Sequence, residues 1–159
     1  MQNDDKISLQ DAYALQTPES NVALYRHWAE TYDVEFARDR GYQYPQIIED
    51  IYARHSKPAD TPVLDVGSGT GLVASALQEH HSVDAQLTID GVDISPEMLA
   101  VSRTKNVYRH LFEADLTQSI DLPEKQYGAV VSAGTFTHGH VGPEALIKLL
   151  RLCPQVHCL

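Results

Sequence analysis

Three glycines spaced two apart, Gly67, Gly69 and Gly71, follow an apolar run, Val63, Leu64 and Val66, that carries a single acid, Asp65. Glycine permits a tight turn and lets a ligand approach the backbone with no Cβ in the way. Ser68 sits within the turn, and a helix-like stretch follows with Leu72, Val73, Ala76 and Leu77 on one face. Strand, glycine turn and helix N-terminus together make a nucleotide-type cradle. The spacing narrows the ligand. A dinucleotide fingerprint, Gly-x-Gly-x-x-Gly, would place its third glycine where this chain has Leu72. A phosphate-binding P-loop needs Gly-Lys-Ser/Thr, which is absent from the sequence. Asp65 would repel a pyrophosphate and suits a ligand with a cationic end.

The elements that must hold this turn can be read from periodicity. Val63 to Gly67 reads as a buried strand and residues 71–80 as the helix after it. A second strand covers 87–94, and Ser95-Pro96-Glu97 opens a helix into Met98, Leu99 and Val101. Val107 to Glu113 is a third strand. Tyr127 to Ala133 is a fourth, apolar throughout as a buried parallel strand should be. Gly142-Pro143-Glu144 begins a last helix with Leu146, Leu149 and Leu150 on one face. Alternating strands and helices predict an α/β fold, a Rossmann-like parallel sheet. In such a sheet ligands sit beyond the C-terminal strand ends, where polar residues gather in this chain. Asp93, near the end of strand two, can accept from both hydroxyls of a ribose, with Ile94 beside an adenine.

Ahead of the sheet, residues 1–17 are polar without a clear period and read as a mobile arm. Residues 18–56 read as an N-terminal helical segment, and 57–159 as the sheet domain. Thr17-Pro18-Glu19 opens the first helix, where Val22, Tyr25, Ala29 and Tyr32 recur at helical spacing beside Leu24 and Trp28. A second helix runs from about Pro45 to Arg54 with Ile47, Ile48, Ile51 and Tyr52 inward. Lys57 to Pro62 is the linker into the first strand.

S-adenosylmethionine, with a sulfonium and an ammonium group, fits the cradle and its acid. Val63 to Gly71 resembles motif I of the class I S-adenosylmethionine-dependent methyltransferases, and the resemblance extends in order over roughly residues 60 to 152. It implies cofactor contacts at Asp65, Gly67, Ser68, Gly69, Gly71, Asp93 and Ile94. Asp115-Leu116 resembles the family's adenine corner, and Ser132 and Ala133 stand where the family lines the methionine moiety. The segment Tyr25 to Asp33, with Gly41-Tyr42 and Pro45, is similar to the lead-in of the Williams–Beuren-region methyltransferase-like proteins. That similarity implies a lid over the cofactor with Tyr32 as a contact. His138 and His140, in the loop after strand four, are the candidate catalytic groups, as general base or acceptor contact. Neither His138-Gly-His140 nor His80-His81 has the spacing of a zinc site, so no metal is expected.

Size and charge set the remaining expectations. At 159 residues, 43% apolar and 21% charged, the chain makes one domain at most. No window of about 18 apolar residues and no secretory leader are present, which predicts a cytoplasmic protein without a membrane span. Cys153 and Cys158 are then free thiols. The net charge of −10 disfavours nucleic acid as substrate. The sequence departs from the family pattern twice. An aspartate usually follows the aromatic that opens strand four, whereas Tyr127 is followed by Gly128, which is expected to loosen a local turn. After Leu152 the family's Pro-Gly-Gly turn and last strands are replaced by Cys153-Pro154-Gln155-Val156-His157-Cys158-Leu159. A truncated isoform or changed reading frame is the expectation, with strand four left as an edge open to self-association. Two functions therefore compete. One is methyl transfer to an unidentified small-molecule or protein acceptor; the other is a non-catalytic chain that binds cofactor or a partner. An NAD-dependent oxidoreductase stands third, disfavoured by the glycine spacing and Asp65.

Overall fold

The computed structural model describes Asp33 and residues 42–79, 87–118, 121–122, 124–136 and 141–153. Among the described residues, eight elements follow in chain order: α1 (Tyr44–His55), β1 (Val63–Val66), α2 (Leu72–Glu79), β2 (Ile89–Asp93), α3 (Pro96–Thr104), β3 (His110–Glu113), β4 (Ala129–Ser132) and α4 (Glu144–Leu150). The four strands form one sheet in the order β3-β2-β1-β4. All three pairings are parallel, with Val63 beside both Ile89 and Ala129, and Asp90 beside His110. The Rossmann-like reading holds, with most elements a residue or so shorter at each end. β3 differs more, starting at His110 rather than Val107. There Arg109 N–H donates to Ile89 O at 2.7 Å, and Tyr108, just ahead of it, turns toward β1.

Two apolar clusters cover the two faces of the sheet. One joins Leu64, Val66 and Val92 to Leu116, Leu122, Tyr127 and, from α4, Ala145 and Leu149. The other joins Val63 and Ile89 to Tyr52 of α1 and to Val73, Ala74 and Leu77 of α2. β1 is buried along its whole length, as a central parallel strand must be. Ser95 caps α3 by accepting from Met98 N–H at 3.2 Å, an arrangement that contributes about 1 kcal/mol.

Two helices turn differently from expectation. In α1, Pro45, Glu49 and Tyr52 face inward, while Ile47 and Ile51 are 44% and 47% exposed. In α4, Ala145 and Leu149 face inward, while Leu146 and Leu150 are exposed. Ile51, Leu146 and Leu150 instead line a groove of about 850 Å³ along the outer edge of β4, together with Val130 and Phe136. Among the described residues that edge has no paired strand.

Candidate functional site

The strand order reverses direction between β1 and β4, so the crevice at their C-terminal ends is the expected ligand site of an open parallel sheet. The glycine turn fills one side of it. Gly67 and Ser68 N–H both donate to Val92 O, at 2.8 and 3.0 Å, and Gly71 N–H donates to Ser68 O at 2.8 Å. Gly67 and Gly69 lie at φ +67° and +53°, where a side chain is strained. Their surroundings differ. A Cβ on Gly67 would collide with the Thr135 side chain, whereas a Cβ on Gly69 would meet no atom of the described residues within 4 Å. Gly67 is thus glycine for packing, and Gly69 presents bare backbone to open space.

β2 supplies the second side. Asp93 accepts from Gly69 N–H at 2.8 Å through Oδ2 and from Ser95 N–H at 2.9 Å through Oδ1. Burial raises its pKa, and the N–H groups of Ser95, Gly69 and Ile94 oppose that rise. Each carboxylate oxygen keeps a further lone pair for a ligand hydroxyl. Ile94 lies half-buried beside it. β4 supplies the third side. Ser132 Oγ and Thr135 Oγ1 both donate to Val66 O, at 2.8 and 3.0 Å, which ties the end of β4 to the start of the turn. Ala133 packs half-buried against the α2-side cluster.

Three expected site residues stand differently from the simplest reading. Asp65 is 0% exposed and lies beneath the turn instead of lining the crevice. Asp115 follows β3 beside Asp93, where Ala114 N–H donates to Asp93 O at 3.0 Å. Its Oδ1 accepts from both Thr117 N–H and Thr117 Oγ1, closing a local turn. Leu116 is 5% exposed and its side chain belongs to the core cluster, leaving its backbone at the strand end. Tyr32, His138 and His140 lie outside the described residues, as do Tyr25 and Trp28.

Sequence reasoning missed three contacts. Thr135 was one. Asp33 is another: its Oδ1 accepts from Thr70 Oγ1 at 2.5 Å and its Oδ2 pairs with Lys105 Nζ at 2.6 Å. That side chain bridges the glycine turn and the residue that caps α3. Tyr108 is the third, its hydroxyl donating to Asp65 Oδ2 at 2.7 Å. A signal for it did exist, since Gly91 in β2 leaves a gap that some large side chain must fill.

Burial pushes the Asp65 carboxyl up to about 7, with the Tyr108 hydrogen bond opposing and the Asp93 charge reinforcing the rise. The folded chain therefore keeps a proton that the unfolded chain releases near pH 4. Between those values folding binds protons, so stability falls as pH rises toward 7 and levels off above it. Asp65→Asn should be more stable than wild type at pH 8 and equal to it at pH 4. Thermal unfolding at both pH values checks this, and equal gaps at the two would refute it.

Similarity to known proteins agrees with this geometry. Residues 63–156 match a family described as a methyltransferase domain. The chain belongs to this family. Among curated proteins it is 30% identical over 141 residues to human methyltransferase-like protein 27, an alignment covering 87% of this chain and 56% of that protein. The chain thus spans little more than half the length of that relative. A candidate S-adenosyl-L-methionine-dependent methyltransferase of Methanococcus maripaludis superposes with a TM-score of 0.62 at 21% identity, covering 81% of this chain and 57% of that one. A S-adenosylmethionine-dependent methyltransferase of Aquifex aeolicus gives 0.53 at 21% identity, covering 67% and 57%. This methyltransferase domain accordingly has the class I fold, shortened relative to those structures. Among its described residues, no helix is long and apolar enough to cross a membrane.

Proposed function

We propose that this chain binds S-adenosylmethionine across the C-terminal ends of β1, β2 and β4 and takes part in methyl transfer to an acceptor. The observation that carries this reading is the open backbone at Gly69, held against Asp93 at the point where the sheet reverses. Asp93 is assigned to the ribose hydroxyls, Ile94 and the Asp115-Leu116 backbone to the adenine side, and Gly67 to Gly71 with Ser132 and Ala133 to the methionine side. Asp65 contributes negative potential from beneath the turn.

When bound, the sulfonium supplies an activated methyl with a neutral leaving group. The protein's part is then alignment, and well-placed reactants gain on the order of 7–11 kcal/mol over free encounter. A base is required only where the acceptor must lose a proton, and His138 or His140 is assigned that role. The acceptor is a small molecule or a protein side chain. Self-association along the outer edge of β4 accompanies this reading, given the exposed Ile51, Leu146 and Leu150. Sedimentation velocity over a hundredfold range of concentration tests that part, and a constant monomeric value would exclude it.

Thermal unfolding with S-adenosylhomocysteine tests the cofactor site. At a hundred times its dissociation constant the ligand adds about 2.7 kcal/mol, a rise in Tm of roughly 5–10 °C for a domain of this size. Asp93→Ala should abolish the rise while still unfolding cooperatively. A wild-type protein that melts cooperatively with no shift would overturn the reading.

A further inference from the structure

Tyr108 lies on a part of the chain that no cofactor motif includes, yet Asp65 of β1, Gly71 of the glycine turn and Gly91 of β2 converge on it. Its hydroxyl donates to Asp65 Oδ2 at 2.7 Å, across 43 residues of sequence. Its ring fills the space left by two glycines on neighbouring elements. A Cβ on Gly71 would come within 3.0 Å of Tyr108 Cε2, and one on Gly91 within 2.9 Å of Cε1. The pairing of Asp65 with Gly91 in the β1–β2 register sets the ring directly beside the carboxyl. The ring therefore occupies the layer immediately under the turn, and the acid has one oxygen committed to it.

The other oxygen is not committed. Asp65 Oδ1 is buried and makes no hydrogen bond among the described residues. Ala74 N–H, in the first turn of α2, faces the carboxyl and favours its ionised form, but falls short of a hydrogen bond. Among the described residues, Ser68 Oγ and Ser102 Oγ, from the turn and from α3, are also buried without a hydrogen-bond partner, although Ser68 faces the Tyr108 phenol and opposes the rise in its pKa. A Cβ on Gly91 would lie 3.0 Å from Ser68 Oγ, and one on Gly71 would lie 3.5 Å from Ser102 Cβ. Among the described residues, the remaining charge facing this layer is Asp93, at the end of β2. A fully buried acid in such surroundings responds to charge in the crevice above it, because little solvent screens the interaction.

We propose that Tyr108 is a positioning residue of the cofactor site: its phenol tethers the Asp65 carboxyl beneath the glycine turn and sets the pH range over which that carboxyl favours a cationic ligand. The proposal rests on the cofactor reading above. A bound sulfonium or ammonium stabilises ionised Asp65, so cofactor binding releases a proton wherever the free protein holds one. Affinity then rises with pH until Asp65 is ionised without the ligand, near its value of about 7, and is level beyond it. The Tyr108 hydrogen bond favours the ionised carboxylate. Its removal moves the rise to higher pH without altering the limiting affinity.

The test is calorimetric titration with S-adenosylmethionine from pH 5.5 to 8.5 for wild type, Tyr108→Phe and Asp65→Asn. Phenylalanine keeps the ring that fills the Gly71 and Gly91 gaps, and cooperative unfolding of each variant verifies that it is folded. Wild type should tighten with pH and then level off. Tyr108→Phe should bind up to about tenfold more weakly near pH 7, the equivalent of one hydrogen bond to an ionised group, and converge on wild type at the alkaline end. Asp65→Asn should show a flat profile. A Tyr108→Phe profile that superposes on wild type, even with a lowered Tm, would make the tyrosine merely structural and overturn the proposal alone. A wild-type protein that binds no S-adenosylmethionine at any pH would overturn the cofactor reading and this proposal together.

Discussion

Asp90→Ala should reduce the stability of the fold by about 3–5 kcal/mol, because it removes two buried hydrogen bonds to a charged group, each contributing about 1.5–3 kcal/mol. Asp90 is 1% exposed and all of its acceptor geometry is used. Oδ1 accepts from Arg109 Nε at 3.0 Å and His110 N–H at 3.1 Å, while Oδ2 accepts from Arg109 Nη2 at 2.7 Å and Tyr127 OH at 2.9 Å. One carboxylate thus joins β2, β3 and the residue leading into β4. Arg109 is itself 43% exposed at its side chain and can turn to water when its partner is gone. The loss therefore falls on Tyr127, 2% exposed, and on the His110 amide, whose donors would be left without an acceptor. Burial and the nearby carboxylate hold the Tyr127 phenol far above its ordinary pKa, so it remains a donor throughout the useful pH range. Urea unfolding should show a midpoint lowered by about 1 M or more. Asp90→Asn, which keeps the volume and some of the bonds, should fall between. A midpoint within experimental error of wild type for the alanine variant would mean that this network does not stabilise the sheet.

The second large effect is at Gly128. The resemblance to the family leads one to expect an aspartate there, and Gly128→Asp restores it. We expect the restored residue to destabilise this chain by about 3 kcal/mol, at the upper end of overpacking effects. A Cβ at Gly128 would stand 2.5 Å from the Asp60 backbone C and Cα and closer still to Ala59 O. These are main-chain atoms of the linker into β1, and no rotamer change moves them aside. Gly128 N–H is bonded to Pro62 O at 2.9 Å, which holds the two segments together. The turn at Gly128 is therefore tightly packed, contrary to the loosening expected from sequence. A fall in Tm of roughly 6–12 °C is expected. A variant as stable as wild type would require the linker to lie elsewhere.

The parts of this molecule that were legible in the sequence are those encoded locally. Val63 to Gly71 announces a strand and a turn within a few residues. Ser95-Pro96-Glu97 announces a helix cap in the same way, and the alternation of such units fixes a parallel sheet. The place of Asp93 at the end of β2 was legible because the apolar run of that strand stops there. What could not be read were contacts between distant segments. Tyr108 meets Asp65 across 43 residues and Thr135 meets Val66 across 69, and nothing near either residue specifies its partner. Helix faces failed for a different reason. Periodicity identifies apolar stripes in α1 and α4, but each helix has two adjacent ones, and burial of Tyr52 and Leu149 turned the Ile51 and Leu150 stripes toward the edge of β4. Asp65 shows a third limit, since its place before the glycines was plain but its lack of access to the crevice depended on the tyrosine packed beneath it.

The crevice is assembled from chain segments of unequal separation. Gly69 and Asp93, on one side, are 24 residues apart, whereas Ser132 reaches Val66 across 66. Each doubling of a loop adds only about 0.6 kcal/mol to its closure, but that cost falls before any contact rewards it. The β1-β2-β3 half, with its glycine turn and Asp93, can therefore form while β4 is still unpaired. During synthesis the same half also leaves the ribosome first. A nascent or partly unfolded chain would hold the Gly69–Asp93 side of the crevice ready before the β4 wall is in place, so any ligand held on that side acts as a template on which β4 closes.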